Sequence, residues 1–195
     1  AVGTRDGSLV YVNSVRADAK SSEVELANGA KLKGVGVDDV VSVQSLDGAI
    51  IYLSDLEGAD YRGVPYLSIK WPFTRDQNVL GEPIEVRGRR YLKGIGMHSA
   101  ARLTYKLDGS YQRFESAIAI DDSAKDRGSV TFGVYVLRDG KWGEAFTSGI
   151  VRGRDAPQPA SIDLHGAKGL TLTVDFADRG DELDHAVWLD ARLVR

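Results

Sequence analysis

Residues 93–107 read KGIGMHSAARLTYKL, and the second half of this stretch decides the fold. From Ala101 onward, Leu103, Tyr105 and Leu107 alternate with Arg102, Thr104 and Lys106, a period of two that predicts a strand with one buried face and one wet face. The same period returns at Phe114, Ile118 and Ile120 against Glu115, Ala117 and Ala119. It recurs at Val130, Phe132, Val134 and Val136, and at Leu170, Leu172, Val174 and Phe176 against Thr171, Thr173 and Asp175. Helical spacing is almost absent. Tight-turn sequences separate the strands, DGS at 108–110, RDGK at 138–141 and HGAKG at 165–169. An all-β antiparallel sandwich follows.

The chain's 195 residues suffice for one main domain and a companion unit. Residues 1–48 hold only short apolar stretches (LVYV at 9–12, VEL at 24–26, VVSV at 40–43) joined by polar turns such as ADAKSSE and ANGAK. They predict a small N-terminal β module, packed on or linked to a sandwich over residues 49–195. With 43% hydrophobic and 27% charged residues the composition is that of an ordinary globular protein. The net charge of -3 comes from interspersed acids and bases, so no basic face offers itself to nucleic acid. No apolar run approaches the roughly 20 residues of a membrane span. The start, AVGTRDGS, has neither an initiator methionine nor a signal peptide's basic and apolar regions, so the chain reads as a fragment or a processed form. The absence of cysteine excludes disulfides, thiolate catalysis and cysteine zinc sites.

Antiparallel succession also sorts the loops. Successive connections alternate between the two ends of a sandwich. The tight turns at 108–111, 138–143 and 165–168 then share one end. The long charged connections at 121–128 (DDSAKDRG), 152–158 (RGRDAPQ) and 177–185 (ADRGDELDH) share the other, together with His98. Loops of that kind on a rigid scaffold are where binding residues concentrate.

Asp, Arg and His side chains suit sugar hydroxyls, which donate and accept at once. Their alternative role is ion pairing that steadies loops. His98 either touches a ligand or ties strand starts together through its ring nitrogens, with Gly94 and Gly96 allowing close backbone approach. His185, flanked by Asp181, Glu182 and Asp184, poses the same choice. Ser99, His185 and Asp184 make a nominal triad, but no G-x-S-x-G elbow accompanies them. A paired-carboxylate glycosidase would need two carboxyls roughly 5 to 10 Å apart. Asp76 and Asn78 in TRDQN, with Asp190, are candidate calcium ligands, against the simpler reading of an Asx turn. Among the tryptophans, Trp142 falls in a turn away from the charged loops. Strict alternation sets Trp188 in phase with Asp190 and Arg192, facing away from the main core. Trp71 closes the run YLSIKWPF as a packing residue or a stacking face.

Together, YLSDL (52–56), YLKGIGMHSAARLTYKLDGSYQRFESAIAIDDS (91–123), GSVTFGVYV (128–136) and DELDHAVWLDARL (181–193) resemble the NPCBM/NEW2 domain, a relative of carbohydrate-binding module family 51. The resemblance covers roughly residues 49–195. It implies a galactose-binding-like jelly-roll sandwich, non-catalytic, recognising galactose-type or related glycans through loops at one end. Its expected partners are a glycan or polysaccharide and other domains of a secreted, glycoside hydrolase-associated protein, extracellular or periplasmic, with a structural calcium. The matching positions are His98, Asp121, Asp122, Asp184, His185 and Trp188. Met97 and the RGRDAPQP loop depart from the family pattern. The ligand contacts expected are His98, Asp121, Asp122, Arg127, Arg154, Asp178, Asp184 and His185. The alternative is a structural or protein-interaction module whose charged end is closed by internal ion pairs.

Overall fold

The computed structural model describes residues 2–4, 9–17, 22–26, 28–33, 40–43, 49–64 and 69–195. Parts of the expected turns ADAKSSE and ANGAK, and the start of YLSIKWPF, lie outside the described residues. The chain divides into two compact units, Ala1–Ala49 and Ile50–Arg195.

Among its described residues, the first unit has six short strands: β1 (Val2–Thr4), β2 (Leu9–Val10), β3 (Val12–Ala17), β4 (Ser22–Leu26), β5 (Lys31–Lys33) and β6 (Val40–Val43). They form two antiparallel sheets, ordered β2-β1-β6 and β3-β4-β5. Asn28 and Gly29 turn β4 into β5, with Gly29 at φ +82° and the Asn28 side chain accepting from the Ala30 amide at 3.0 Å.

The second unit contains β7 (Ile50–Tyr52), β8 (Asp60–Gly63), β9 (Thr74–Arg75), β10 (Ile84–Val86), β11 (Arg89–Tyr91), β12 (Gly94–Met97), β13 (Ala101–Lys106) and β14 (Arg113–Ile120). It continues through β15 (Ser129–Arg138), β16 (Lys141–Thr147), β17 (Val151–Arg152), β18 (Gln158–Asp163), β19 (Gly169–Phe176) and β20 (Ala186–Val194). A first sheet runs β18-β14-β20-β12-β9, with β7 added to β20. A second runs β16-β15-β19-β13-β8, with β17 added to β15. Phe114, Ile118 and Trp188 of the first sheet bury their side chains in one cluster with Leu103, Tyr105, Phe132, Leu172 and Val174 of the second. Each such side chain contributes about 1.5–3 kcal/mol relative to exposure. This is the all-β sandwich that the alternation predicts.

Strict alternation fails at one strand, and Trp188 is the correction. It lies fully inside the core, its ring 5.1 Å from Phe132 edge-on and 6.0 Å from Phe114. Between the pairs Glu115↔Arg192 and Ala117↔Leu189, two residues of β20 oppose one of β14. Asp190 sits in this bulge at φ +49°. The extra residue reverses the phase, so Trp188 points inward although Arg192 points out. Val187 and Leu189 then face the outside of the first sheet, where Ile84 and Val86 of the β10–β11 hairpin cover them.

The strand directions put the connections where alternation places them. β13 and β15 both pair antiparallel with β19, and β14 pairs antiparallel with β18 and β20. Asp139 and Gly140, at φ +49° and +74°, close the β15–β16 hairpin at the tight-turn end. The loops at 121–128, 153–157 and 177–185 gather at the opposite end, and β12 delivers His98 there. The described residues contain no helix long and apolar enough to cross a membrane.

Candidate functional site

The loop end begins with a close backbone approach. A Cβ on Gly96 would lie 2.3 Å from Thr74 Oγ1 and 2.6 Å from the Gln77 carbonyl oxygen. Only glycine lets β12 run this tightly beside the 74–78 segment. The chain then places His98 beneath Trp71, the two rings 4.7 Å apart and 8° from parallel. His98 is 3% exposed, and its Nδ1 donates to the Ser99 carbonyl at 3.0 Å. A neutral ring with a proton on Nδ1 keeps Nε2 as an acceptor. Burial pushes its pKa down, against the raising effect of the Ser99 hydrogen bond and the Asp181 charge.

His185, also 3% exposed, lies 6.1 Å from His98 ring to ring. The Ser123 hydroxyl donates to Asp121 Oδ1 at 2.6 Å, so the 2.9 Å contact between Ser123 Oγ and His185 Nδ1 has the imidazole as donor. This ring too is neutral, with Nε2 as acceptor. Burial first, then the neighbouring His98, pushes its pKa down.

Asp121 is 1% exposed and fully engaged. Its Oδ1 accepts from Asn78 Nδ2 at 3.0 Å and from the Ser123 amide at 3.0 Å besides the Ser123 hydroxyl, and its Oδ2 accepts from the Glu85 amide at 2.9 Å. Asp184 is 0% exposed, its oxygens accepting from Ser99 Oγ at 2.5 Å and the Ser129 amide at 3.0 Å. Burial nonetheless raises its pKa to about 6. Asp122 caps the β10–β11 turn, accepting from the Arg87 and Gly88 amides at 2.9 and 2.7 Å.

Asp121, Asp122 and Asp184, expected as ligand contacts, each use both carboxylate oxygens on protein donors. For the same reason the nominal triad is not assembled: Ser99 gives its proton to Asp184, and His185 is bonded to Ser123. Neither Asp121 nor Asp184 presents a free carboxyl oxygen for paired-carboxylate chemistry.

The remaining predicted contacts lie on the rim. Arg127 pairs with Glu182, and Arg152 with Asp178 at 2.7 Å. Arg154, at φ +71°, is exposed without a partner among the described residues. Beside the Trp71–His98 stack opens a hollow of about 180 Å³ lined by Tyr61, Val64, Ile69, Lys70, Trp71 and Ser99. The Tyr61 hydroxyl holds the Trp71 backbone by donating to its carbonyl at 2.7 Å. Reading along the chain missed Ser123 and Asn78 as parts of this frame. An Asx-turn reading of Asn78 was the available signal, and its Oδ1 does accept from the Leu80 and Glu82 amides at 3.0 and 3.1 Å.

The proposed calcium ligands do not fit that ion. Asp76 already accepts from the Lys93 ammonium at 3.0 Å and from the Gly94 amide at 3.1 Å, and the Asn78 oxygen is occupied as described. Asp190 sits in the β20 bulge, its pKa raised by burial. No group of three His, Asp or Glu side chains among the described residues is placed to hold a metal ion.

With this geometry in hand, likeness to known proteins becomes informative. A profile of the family described as NPCBM/NEW2 domain matches residues 50–194. A family 51 carbohydrate-binding module (CBM51) from Clostridium perfringens GH95, solved in complex with methyl-galactose, is 25% identical. It superposes with a TM-score of 0.64 over 74% of this chain and 99% of its own. The structure of the M60 catalytic domain with two CBM51 domains of Clostridium perfringens ZmpB is 31% identical, with a TM-score of 0.63 over 97% of this chain and 20% of that one. A curated protein of Renibacterium salmoninarum, named as an endo-alpha-N-acetylgalactosaminidase, is 31% identical over 114 residues. Those residues are 58% of this chain but only 7% of that protein's length.

Proposed function

The chain belongs to the NPCBM/NEW2 domain family, and on that premise we propose that residues 50–195 form a non-catalytic module that binds galactose-type or related glycans at the loop end. The observation that carries this reading is the Trp71–His98 stack beside an open hollow, with two neutral imidazoles that keep Nε2 acceptors. An indole face suits the C–H side of a sugar ring, and an imidazole nitrogen suits a hydroxyl proton. The two buried carboxylates of this end, Asp121 and Asp184, are engaged by protein donors, which supports a binding rather than a hydrolytic role. The likeness of the GH95 module crystallised with methyl-galactose supports a galactose-type ligand. In its parent protein the module would hold a secreted glycan-acting enzyme to its substrate; the enzyme activity named for the Renibacterium protein would belong to other parts of such a chain.

Isothermal titration with methyl-galactoside and N-acetylglucosamine tests the proposal. Binding lost on Trp71→Ala with an unchanged melting temperature is the expected result. A folded chain that binds neither sugar overturns it. Such an outcome would favour a protein-interaction module, the reading that the ion-paired rim at Arg127–Glu182 and Arg152–Asp178 supports. No turnover of a chromogenic glycoside is expected.

A further inference from the structure

The two sheets treat their outer faces differently. The outer face of the first carries Val187 and Leu189 under the β10–β11 hairpin. The second sheet's outer face is polar and holds two adjoining hollows, of about 580 and 500 Å³, which share Arg102 and Thr173.

Strand register makes this face orderly. Asp60, Thr104, Thr171, Tyr135 and Glu144 stand opposite one another across β8, β13, β19, β15 and β16. One step along the strands, Arg62, Arg102, Thr173 and Gly133 form a second row. Five strands at about 4.8 Å spacing make a row roughly 19 Å long, the reach of a short oligosaccharide. Trp142, 49% exposed, stands at the β16 side. Its ring is held in place over Gly169, where a Cβ would come 2.8 Å from Trp142 Cη2. The indole is therefore fixed by packing yet open on its other side, not the turn residue that reading along the chain suggests.

We propose that this face is a second glycan-binding cleft, taking an uncharged oligosaccharide laid across the strands with one sugar ring on Trp142 and hydroxyls on the threonine and arginine rows. The inference rests on the reading of this unit as a carbohydrate module, but not on the loop-end site. Charge balance chooses the class of sugar. Arg62 and Arg102 are offset by Asp60 and Asp175 in the lining, and Arg62 pairs with Asp60 at 3.6 Å. A polyanionic chain would gain from the guanidinium groups only what it loses to the carboxylates. Arg102, without an ion-pair partner among the described residues, remains available to hydroxyl oxygens in both hollows.

Titration of the 195-residue chain with N-acetyllactosamine, its tetrasaccharide dimer, cellotetraose and a heparin tetrasaccharide tests the cleft. An uncharged tetrasaccharide should bind about tenfold more tightly than its disaccharide, and Trp142→Ala should remove that gain without shifting the melting temperature. Arg102→Ala should do the same, and Gly169→Val, which displaces the indole at some cost in stability, should also remove the gain. Affinity independent of length, a length gain that survives all three substitutions, a preference for the heparin fragment, or no binding of any uncharged tetrasaccharide overturns the cleft. The two sites separate cleanly. Loss of methyl-galactoside binding in Trp71→Ala with no effect of Trp142→Ala leaves the loop-end site standing alone. Tetrasaccharide binding that needs Trp142 but not Trp71, in a chain whose methyl-galactoside binding is absent or unaffected by Trp71→Ala, leaves the cleft standing and refutes the loop-end site.

Discussion

The loop end and the outer face of the second sheet are made of the same side-chain types: carboxylates, hydroxyls, arginines and an indole. At the loop end the buried polar groups turn inward, and Asp121, Asp184, Ser99 and Ser123 bond to one another's segments, both oxygens of each of the two carboxylates accepting from protein donors. On the sheet face the strands space the same chemistry at regular intervals and leave most of it open to solvent. A buried polar group costs about 1–3 kcal/mol unless it is paired, whereas an exposed one has water as partner. The first region is therefore committed to holding three connections together. The second has hydrogen-bonding capacity to spare.

The contrast breaks most readily at Asp121. Replacing it with Ala strands Asn78 Nδ2 and the Glu85 and Ser123 amides, and should cost about 3–5 kcal/mol in urea unfolding. A loss below 1 kcal/mol would mean that the loop end is not a load on the fold. Next in size, Gly96→Ala forces a Cβ against backbone of the 74–78 segment and should cost about 2 kcal/mol by the same measurement.

Acidification sharpens the comparison with a smaller effect. The folded chain holds His98 and His185 neutral below their ordinary pKa of 6.5, chiefly through burial, while the unfolded chain protonates them there. Their contribution is fully present above about pH 6.5 and is lost as the pH falls through the lowered folded values. Asp184 works the other way. Its folded pKa of about 6 lies above the ordinary 3.8, so its contribution is present at pH 4 and lost as the pH rises to 6. In melts across pH 4–8, His98→Gln with His185→Gln should flatten the acid-side loss, and Asp184→Asn should steepen it. The smallest effect belongs to the sheet face. Trp142→Ala should change unfolding free energy by less than about 1 kcal/mol, since the exposed indole leaves no buried polar group without a partner.

Much of the fold could be read along the chain. The period of two at 101–107 and 129–138 survives intact because one face of each strand meets the core and the other does not. Trp188 departs from simple alternation because a single bulge residue, Asp190, reverses the phase of everything before it, and nothing in AVWLDARLV marks the insertion. The grouping of charged loops with His98 was legible, since it needs only strand order. The use of those charges was not. Asp121 and Asp122 are neighbours with similar side chains, yet one is sunk beneath Asn78 and Glu85 and the other caps a distant hairpin turn.

By itself the sequence determined the all-β class, the alternating ends of the connections and the place of His98 among the long loops. These depend on local periodicity and chain order, both written in neighbouring residues. Only the tertiary structure decided that His98 lies under Trp71, that the paired aspartates are spent on the frame, and that Trp142 stands over Gly169 on an open polar face. Each of those contacts joins residues at least 27 positions apart, and whether a polar side chain is free or already satisfied depends on which distant donors the fold brings to it.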